Sequence, residues 1–202
     1  MSVSGFEVEP LALSGAALIR LPRFGDSRGT FSVLANQELF AALGMGVGDQ
    51  QQNLSRSARA GTVRGLHCQA PPHAQAKLVT VLQGSILDVL VDARSDSPTF
   101  GQYRAVVLDA DNRRALFVPR GYLHGFVTRT NDTMVHYTVD NAYAPEADLS
   151  IAWNDPDLAI DWQFDPDTVT LSDKDAAGRP WTAIGDMFRG EPNGLASSGG
   201  AS

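Results

Sequence analysis

The run Val63-Arg64-Gly65-Leu66-His67, followed ten residues later by Lys77 at the head of an apolar stretch, sets a base and a cation where they could share one cavity. An imidazole titrates near pH ~6.5, so at neutral pH it is mostly uncharged and able to take a proton. Removing a proton from the carbon beside a ketone needs such a base. It also needs a donor for the oxyanion of the resulting enolate, and a lysine ammonium is one. The residue types point to proton transfer at a carbon acid.

These two side chains can cooperate only if strands aim them inward. Positions two apart on a strand share a face, so alternation groups His67 with Gly65 and Val63, and Lys77 with Val79 and Val81. A lysine is out of place in the second set, because an ammonium is costly to bury unless it is paired or placed for chemistry. On spacing alone, a strand-end lysine reaching for water is the plainer reading. Residue usage argues the other way: of 16 basic residues only Lys77 and Lys174 are lysines, so arginine serves wherever a generic cation will do. A lysine kept against that preference supplies a compact charge whose pKa can be tuned.

Along the chain, short apolar or alternating stretches broken by Gly, Pro, Asn and Asp predict strands over 17–21, 30–34, 51–55, 62–69, 76–82, 85–92, 102–108, 115–118, 124–128 and 134–139. Gln83-Gly84 reads as a tight hairpin turn between two of them. One short helix is predicted over 36–43, with Asn36 as its cap and Gly44 as its stop. So many short strands imply an all-β fold, a double-sheet jelly roll or closed barrel, which can hold a small ligand in its mouth. Residues 1–189 are expected to form one domain and the low-complexity stretch 190–202 a flexible tail.

Composition narrows the function classes. With 202 residues, 43% of them hydrophobic, the chain can bury a sizeable core. A net charge of -7 argues against nucleic acid and anionic membranes as partners, since both call for a basic stripe. Cys68 is the single cysteine, so neither an intrachain disulfide nor a thiolate metal cluster can form. Without a signal-peptide pattern or an apolar run of membrane-spanning length, a soluble, cytoplasmic protein is expected.

The segment Pro119-Arg120-Gly121-Tyr122-Leu123-His124 resembles the second conserved motif of the cupin superfamily. The first cupin motif normally supplies metal ligands as HxH and a glutamate, with a glycine seven residues beyond the glutamate. Here the text is His67-Cys68-Gln69, and the residue seven before Gly84 is Lys77. A divalent metal would be repelled by that ammonium, so lysine is expected to replace the metal as electrophile. No metal and no organic cofactor are expected.

Further motifs make the resemblance specific. Phe24-Gly25-Asp26-Ser27-Arg28-Gly29, Val63-Arg64-Gly65-Leu66-His67, Ala76-Lys77-Leu78-Val79, Asp92-Ala93-Arg94, Ser97-Pro98-Thr99-Phe100-Gly101, the stretch 118–126 and Trp153-Asn154-Asp155-Pro156 occur in order. Together they resemble the dTDP-4-dehydrorhamnose 3,5-epimerase family of cupin-type nucleotide-sugar epimerases, from Phe24 to about Asp175. The resemblance implies a jelly roll that forms a homodimer and acts, cofactor-free, on a nucleoside-diphosphate 4-keto-6-deoxyhexose, above all dTDP-4-dehydro-6-deoxy-D-glucose.

It also implies roles. His67 would be the base, Asp175 its orienting partner, Lys77 the enolate stabiliser and Tyr137 the donor returning a proton from the opposite face. Arg28, Arg64 and Lys174 would serve the diphosphate; Gln51, Asn53, His124 and Asp148 would contact the substrate; Tyr143 would stack on the nucleobase. Without the resemblance, Tyr137 reads as a core tyrosine beside Val135 and Val139, and Asp175 as even odds an exposed tail residue. His73 and His136 receive no role.

Three positions depart from the pattern: Val33 stands where a glutamate commonly touches the nucleobase, Cys68 replaces an aromatic, and Ala142 replaces a frequent tyrosine. They leave room for a relative that inverts C3 alone or takes another 4-keto sugar nucleotide. Two readings from other classes also stay open, a metal-dependent cupin and a non-catalytic sugar-nucleotide-binding module.

Overall fold

The computed structural model describes residues 1–46 and 50–191. Strands β1 (Ser2–Val3), β2 (Phe6–Pro10) and β3 (Ala17–Arg20) lead to a hairpin of β4 (Arg23–Asp26) and β5 (Gly29–Ser32), then to helix α1 (Gln37–Ala42). The central strands are β6 (Gln51–Ser57), β7 (Val63–Gln69), β8 (Lys77–Gln83), β9 (Ser85–Asp92), β10 (Tyr103–Asp109), β11 (Arg114–Val118), β12 (Tyr122–Thr128) and β13 (Thr133–Val139). A short β14 (Asp148–Ser150) and a four-residue helix α2 (Asp173–Ala176) follow.

Two antiparallel sheets face each other, one in the order β1-β2-β3-β11-β8-β13-β6 and one in the order β10-β9-β12-β7-β14. This is the expected all-β jelly roll. Between the sheets, Val79, Val81, Leu116, Val118 and Val135 from the larger meet Ile86, Leu90, Leu108 and Phe126 from the smaller. Each sheet is also covered outside. Leu39 and Leu43, from α1 and its end, pack with Phe6, Ile19, Leu78 and Phe117 of the larger sheet, while Trp153, Leu158, Trp162 and Phe188 cover Val63, Leu66, Val89 and Val91 of the smaller. Both sheets are therefore held rigidly around whatever lies between them.

Helix α1 forms where predicted, and the Asn36 side chain accepts a hydrogen bond from the Leu39 N–H, as a cap should. Other expectations need correction. Gly84 does not close a hairpin, because β8 and β9 belong to different sheets. It is a corner: at φ +77°, with Thr130 and Thr133 Oγ1 only 2.5 and 2.6 Å from where a Cβ would sit, only glycine fits the crossing. The β4–β5 hairpin begins at Arg23 rather than Thr30, and Val33 lies beyond it against the Phe6–Leu39 cluster. Strands β1, β2 and β14 and helix α2 were not predicted, being too short or too polar for a periodic signal. Of the tail expected over 190–202, residues 192–202 lie outside the described residues; the Gly190 N–H donates to Asp96 Oδ2 at 3.0 Å.

Candidate active site

Where the two sheets part, the apolar filling gives way to a polar cavity with two lobes. The larger, about 380 Å³, is lined by residues including Gln51, Asn53, Gln69, Tyr143, Asp148 and Lys174. The smaller, about 200 Å³, is lined by Ser55, Arg64, His124, Phe126, Ser172 and Asp175. His67, Lys77 and Tyr137 line both. The base and the cation that the sequence singled out therefore face one space.

Lys77 and Tyr137 arrive by simple alternation. Tyr137 sits opposite Val79 on β8 and Asn53 on β6, and Lys77 opposite Val139, so both share the inward face with the apolar residues of their strands. His67 arrives differently. Its partner on β12 is His124, whereas Phe126, two residues on, pairs with Arg64, three residues back on β7. The extra residue is a bulge that changes the alternation. Val63 thus packs outside with Leu66 and Cys68, and His67 shares the cavity with Arg64 rather than with Val63 as expected.

Gly65 makes that bulge possible. Its φ is +111°, and a Cβ there would lie 2.6 Å from the His124 carbonyl oxygen and 2.7 Å from the Gly125 Cα. Gly65→Ala is expected to lose roughly 2–4 kcal/mol from strain and overpacking, visible as a melting temperature lower by about 5–15 °C. Proton-transfer activity should fall in the fraction that stays folded, because His67 moves with the bulge.

The C-terminal segment folds back over the smaller sheet, as the Asp175 assignment required. Bridges from Thr170 to Thr62 and from Arg179 to Ile151 fasten it, and between them lies α2. Ser172 caps α2, donates its hydroxyl to Asp175 Oδ2 at 2.9 Å, and fixes the carboxylate. His67 Nε2 donates to Asp175 Oδ1 at 2.5 Å. Burial alone would raise the Asp175 pKa, yet the His67 hydrogen bond and charge, Ser172 and the Gly65 backbone outweigh it and hold it below the ordinary carboxylate value. With its proton on Nε2, His67 presents the lone pair of Nδ1 to the cavity, which is the geometry of a general base.

The other groups are poised to complement it. Burial pulls the Lys77 pKa below the usual lysine value, opposed by the charges of Asp148 and Asp88. Burial pushes the Tyr137 phenol upward against the pull of Arg64, so the phenol carries its proton at neutral pH. Cys68 also borders the larger lobe, but burial drives its thiol up to about 12, which keeps it protonated and unreactive. At the rim, Asp148 Oδ2 accepts from the Tyr143 hydroxyl at 2.9 Å and from the Lys174 ammonium, and Gln51 Nε2 donates to Asn53 Oδ1 at 2.7 Å.

The resemblance grouped Arg28, Arg64 and Lys174 together, but the fold separates them. Lys174 borders the larger lobe and Arg64 the smaller. Arg28 is in neither: it sits on the β4–β5 hairpin, paired with Asp26 and largely exposed. His73 and His136 lie outside both lobes, facing Glu146 and Gln52.

Gln69, at the position of a cupin metal ligand, spends its amide on structure. Its nitrogen donates to the His73 and Ala142 carbonyls and its oxygen accepts from the Ala144 N–H. Among the described residues no three His, Cys, Asp or Glu side chains cluster as metal ligands do. Sequence reading missed Ser172 and Asp88. Asp88 had a signal, an acid in the middle of the apolar run Ser85-Ile86-Leu87-Asp88-Val89-Leu90-Val91.

The family described as dTDP-4-dehydrorhamnose 3,5-epimerase matches residues 10–182. The chain belongs to that family. A relative from Pseudomonas aeruginosa, a dTDP-4-dehydrorhamnose 3,5-epimerase, is 44% identical over 88% of this chain and 97% of its own length. The crystal structure of a dTDP-6-deoxy-D-glucose-3,5-epimerase from Legionella pneumophila, in complex with dTDP-4-keto-L-rhamnose, superposes with a TM-score of 0.85. It is 36% identical and covers 93% of this chain and 98% of that one. A 3'-monoepimerase from Streptomyces bikiniensis in complex with dTDP-quinovose superposes at 0.79, with 32% identity over 89% of this chain and 91% of that one. The family is one of carbohydrate epimerases, so this protein is an isomerase. No described helix is long and apolar enough to cross a membrane.

Proposed function

We propose that the protein epimerises a nucleoside-diphosphate 4-keto-6-deoxyhexose, dTDP-4-dehydro-6-deoxy-D-glucose above all, at C3 and C5. The observation that carries this reading is the convergence of His67, backed by Asp175, with Lys77 and Tyr137 on one cavity. His67 Nδ1 takes the proton from C3, and the C–H electron pair becomes the C3–C4 double bond. The carbonyl π pair moves onto the C4 oxygen, where the Lys77 ammonium stabilises it. Tyr137 delivers its phenolic proton to the other face of C3, and the enolate pair returns to the ketone. Once His67 has given up that proton to solvent and the Tyr137 phenolate has regained one, the same step at C5 inverts the second centre. The larger lobe takes the nucleotide, with Lys174 for the diphosphate and Tyr143, an exposed ring at the rim, for the base.

Arg28 belongs to this reading through a second copy of the chain. The hairpin that carries it also bears Phe24 and Phe31, 62% and 66% exposed, an apolar pair that a solitary chain leaves in water. We assign it to a homodimer in which the hairpin reaches the partner's cavity and brings Arg28 to the diphosphate. Light scattering is expected to give twice the chain mass for the native protein and a lower mass for a Phe24→Ser, Phe31→Ser variant. A native monomer removes this part of the proposal.

The reaction is tested by solvent exchange. Incubated in deuterated water with dTDP-4-keto-6-deoxyglucose, the protein should wash deuterium into C3 and C5. Label at C3 alone would make it a monoepimerase, like the relative from Streptomyces bikiniensis. Label at neither carbon, in this or any other sugar nucleotide tried, would refute the epimerase reading.

A further inference from the structure

The Lys77 side chain is not anchored at its charged end. Among the described residues nothing accepts a hydrogen bond from the ammonium, and Asp148 and Asp88 act on it through charge alone. A lysine stem is long and flexible. Where this ammonium sits therefore depends on how firmly the backbone at the root of the side chain is held.

That root lies where regular pairing runs out. Lys77 opens β8 between Val139, the last residue of β13, and Val118, the last residue of β11. One residue further out, Asp140 takes over from the ladder. Its Oδ1 accepts from the Ala76 N–H at 2.7 Å and its own N–H donates to the Ala76 carbonyl at 3.3 Å, so both backbone groups of the residue before Lys77 close on Asp140. Its Oδ2 accepts from Arg120 Nε at 3.1 Å, and Arg120 stands in the turn between β11 and β12. One carboxylate thus ties β13, β8 and the turn after β11 together across the end of β8 that carries the lysine. Gln75 adds a tie beyond it, its Nε2 donating to the Asn141 carbonyl at 2.8 Å.

The Asp140 side chain is 1% exposed, and burial pushes its carboxyl above the usual value against the pull of the Ala76 N–H and Arg120. It borders neither lobe of the cavity. Nor does it act on Lys77 by charge: the ionised side chains that the ammonium feels are Asp148, Asp88 and Lys174. The backbone of Ala76 is the path that connects them.

Resting on the proposed epimerase reaction, we propose that Asp140, steadied by Arg120, is a positioning residue that pins Ala76 and so sets the Lys77 ammonium against the C4 oxygen as the enolate forms. It touches neither the substrate nor the reacting atoms. A misplacement of the order of 1 Å at a catalytic group costs about 10²-fold in rate. Because the charge that Lys77 meets develops on the way to the enolate, the loss falls on kcat rather than on nucleotide binding.

The test places Asp140→Ala, Asp140→Asn and Arg120→Met in the native and the Lys77→Met chains, with exchange from dTDP-4-keto-6-deoxyglucose in deuterated water and dTDP binding by calorimetry. Asp140→Ala should lower kcat for C3 exchange roughly 10²-fold, with the dTDP affinity within about threefold of native. Asp140→Asn keeps an acceptor for Ala76, and Arg120→Met keeps the carboxylate; each loses only the outer tie and should cost about three- to tenfold. On Lys77→Met all three should cost less than about twofold, since the group they position is gone. Should Asp140→Ala fail to fold, the two milder variants in both backgrounds decide the matter. Equal losses with and without Lys77 would overturn the proposal by making Asp140 a general support of the sheet. So would an Asp140→Asn as slow as Asp140→Ala, or weakened dTDP binding at native kcat. Native exchange with unaffected variants would sink this inference alone, whereas native protein that exchanges nothing in any sugar nucleotide tried would sink the epimerase reading with it.

Discussion

His67→Ala is expected to lower the rate of deuterium entry at C3 by about 10³- to 10⁴-fold, the full worth of a positioned general base. The melting temperature should fall only modestly: Asp175, 5% exposed, loses its His67 partner but keeps the Ser172 hydroxyl, and the imidazole itself lines a cavity rather than filling a core. Asp175→Asn should cost less, since an amide can still accept the Nε2 proton but no longer carries the charge that stabilises the imidazolium. The pH dependence separates the two partners. Asp175 has a folded-state pKa below the ordinary carboxylate value of 3.8, so its contribution to stability is fully present above that value and is lost only as pH falls through the lowered one. Activity lost on mild acidification, well above pH 4, must then come from protonation of a base and not from rupture of the dyad. Near-normal exchange in His67→Ala would show that another group removes the proton.

How much of this was written in the chain can be judged from the four central residues. Lys77 and Tyr137 were placed on the correct face by alternation, because β8 and β13 run regularly through the larger sheet. His67 was recognised but given the wrong neighbours. The bulge at Gly65 depends on a close approach to the His124–Gly125 backbone, a contact between strands about 60 residues apart in sequence that no local pattern encodes. Asp175 was reachable only through the family resemblance. Its position depends on parallel bridges at Thr170 and Arg179 and on a four-residue helix, all set by tertiary contacts.

The same contrast explains Gly84 and Arg28. Glycine between two strands predicts a turn, and a turn there is; whether it joins neighbours in one sheet or crosses to the other is decided by which strands pair, a global choice. Arg28 has a motif but no place in the cavity of its own chain, since its hairpin pairs with neither large sheet. A sequence motif can mark a functional residue without saying which copy of the chain it serves.

Lys77→Met should reduce exchange at C3 by about 10²- to 10³-fold while raising the melting temperature, and this pair of opposite effects distinguishes an oxyanion donor from a structural lysine. Methionine keeps the length of the side chain and suits the apolar neighbours Val79 and Val118, so folding no longer has to desolvate an ammonium. The transition state loses its ammonium donor, and its negative oxygen is left facing a thioether. Lys77→Arg should not restore the rate, because the planar guanidinium spreads over three nitrogens the charge that the ammonium presents at one point. Both variants are read by the same exchange assay together with thermal denaturation. If Lys77→Met were destabilised and still active, the lysine would be holding the sheets together, and the charge on the enolate would have to be met by other groups in the smaller lobe.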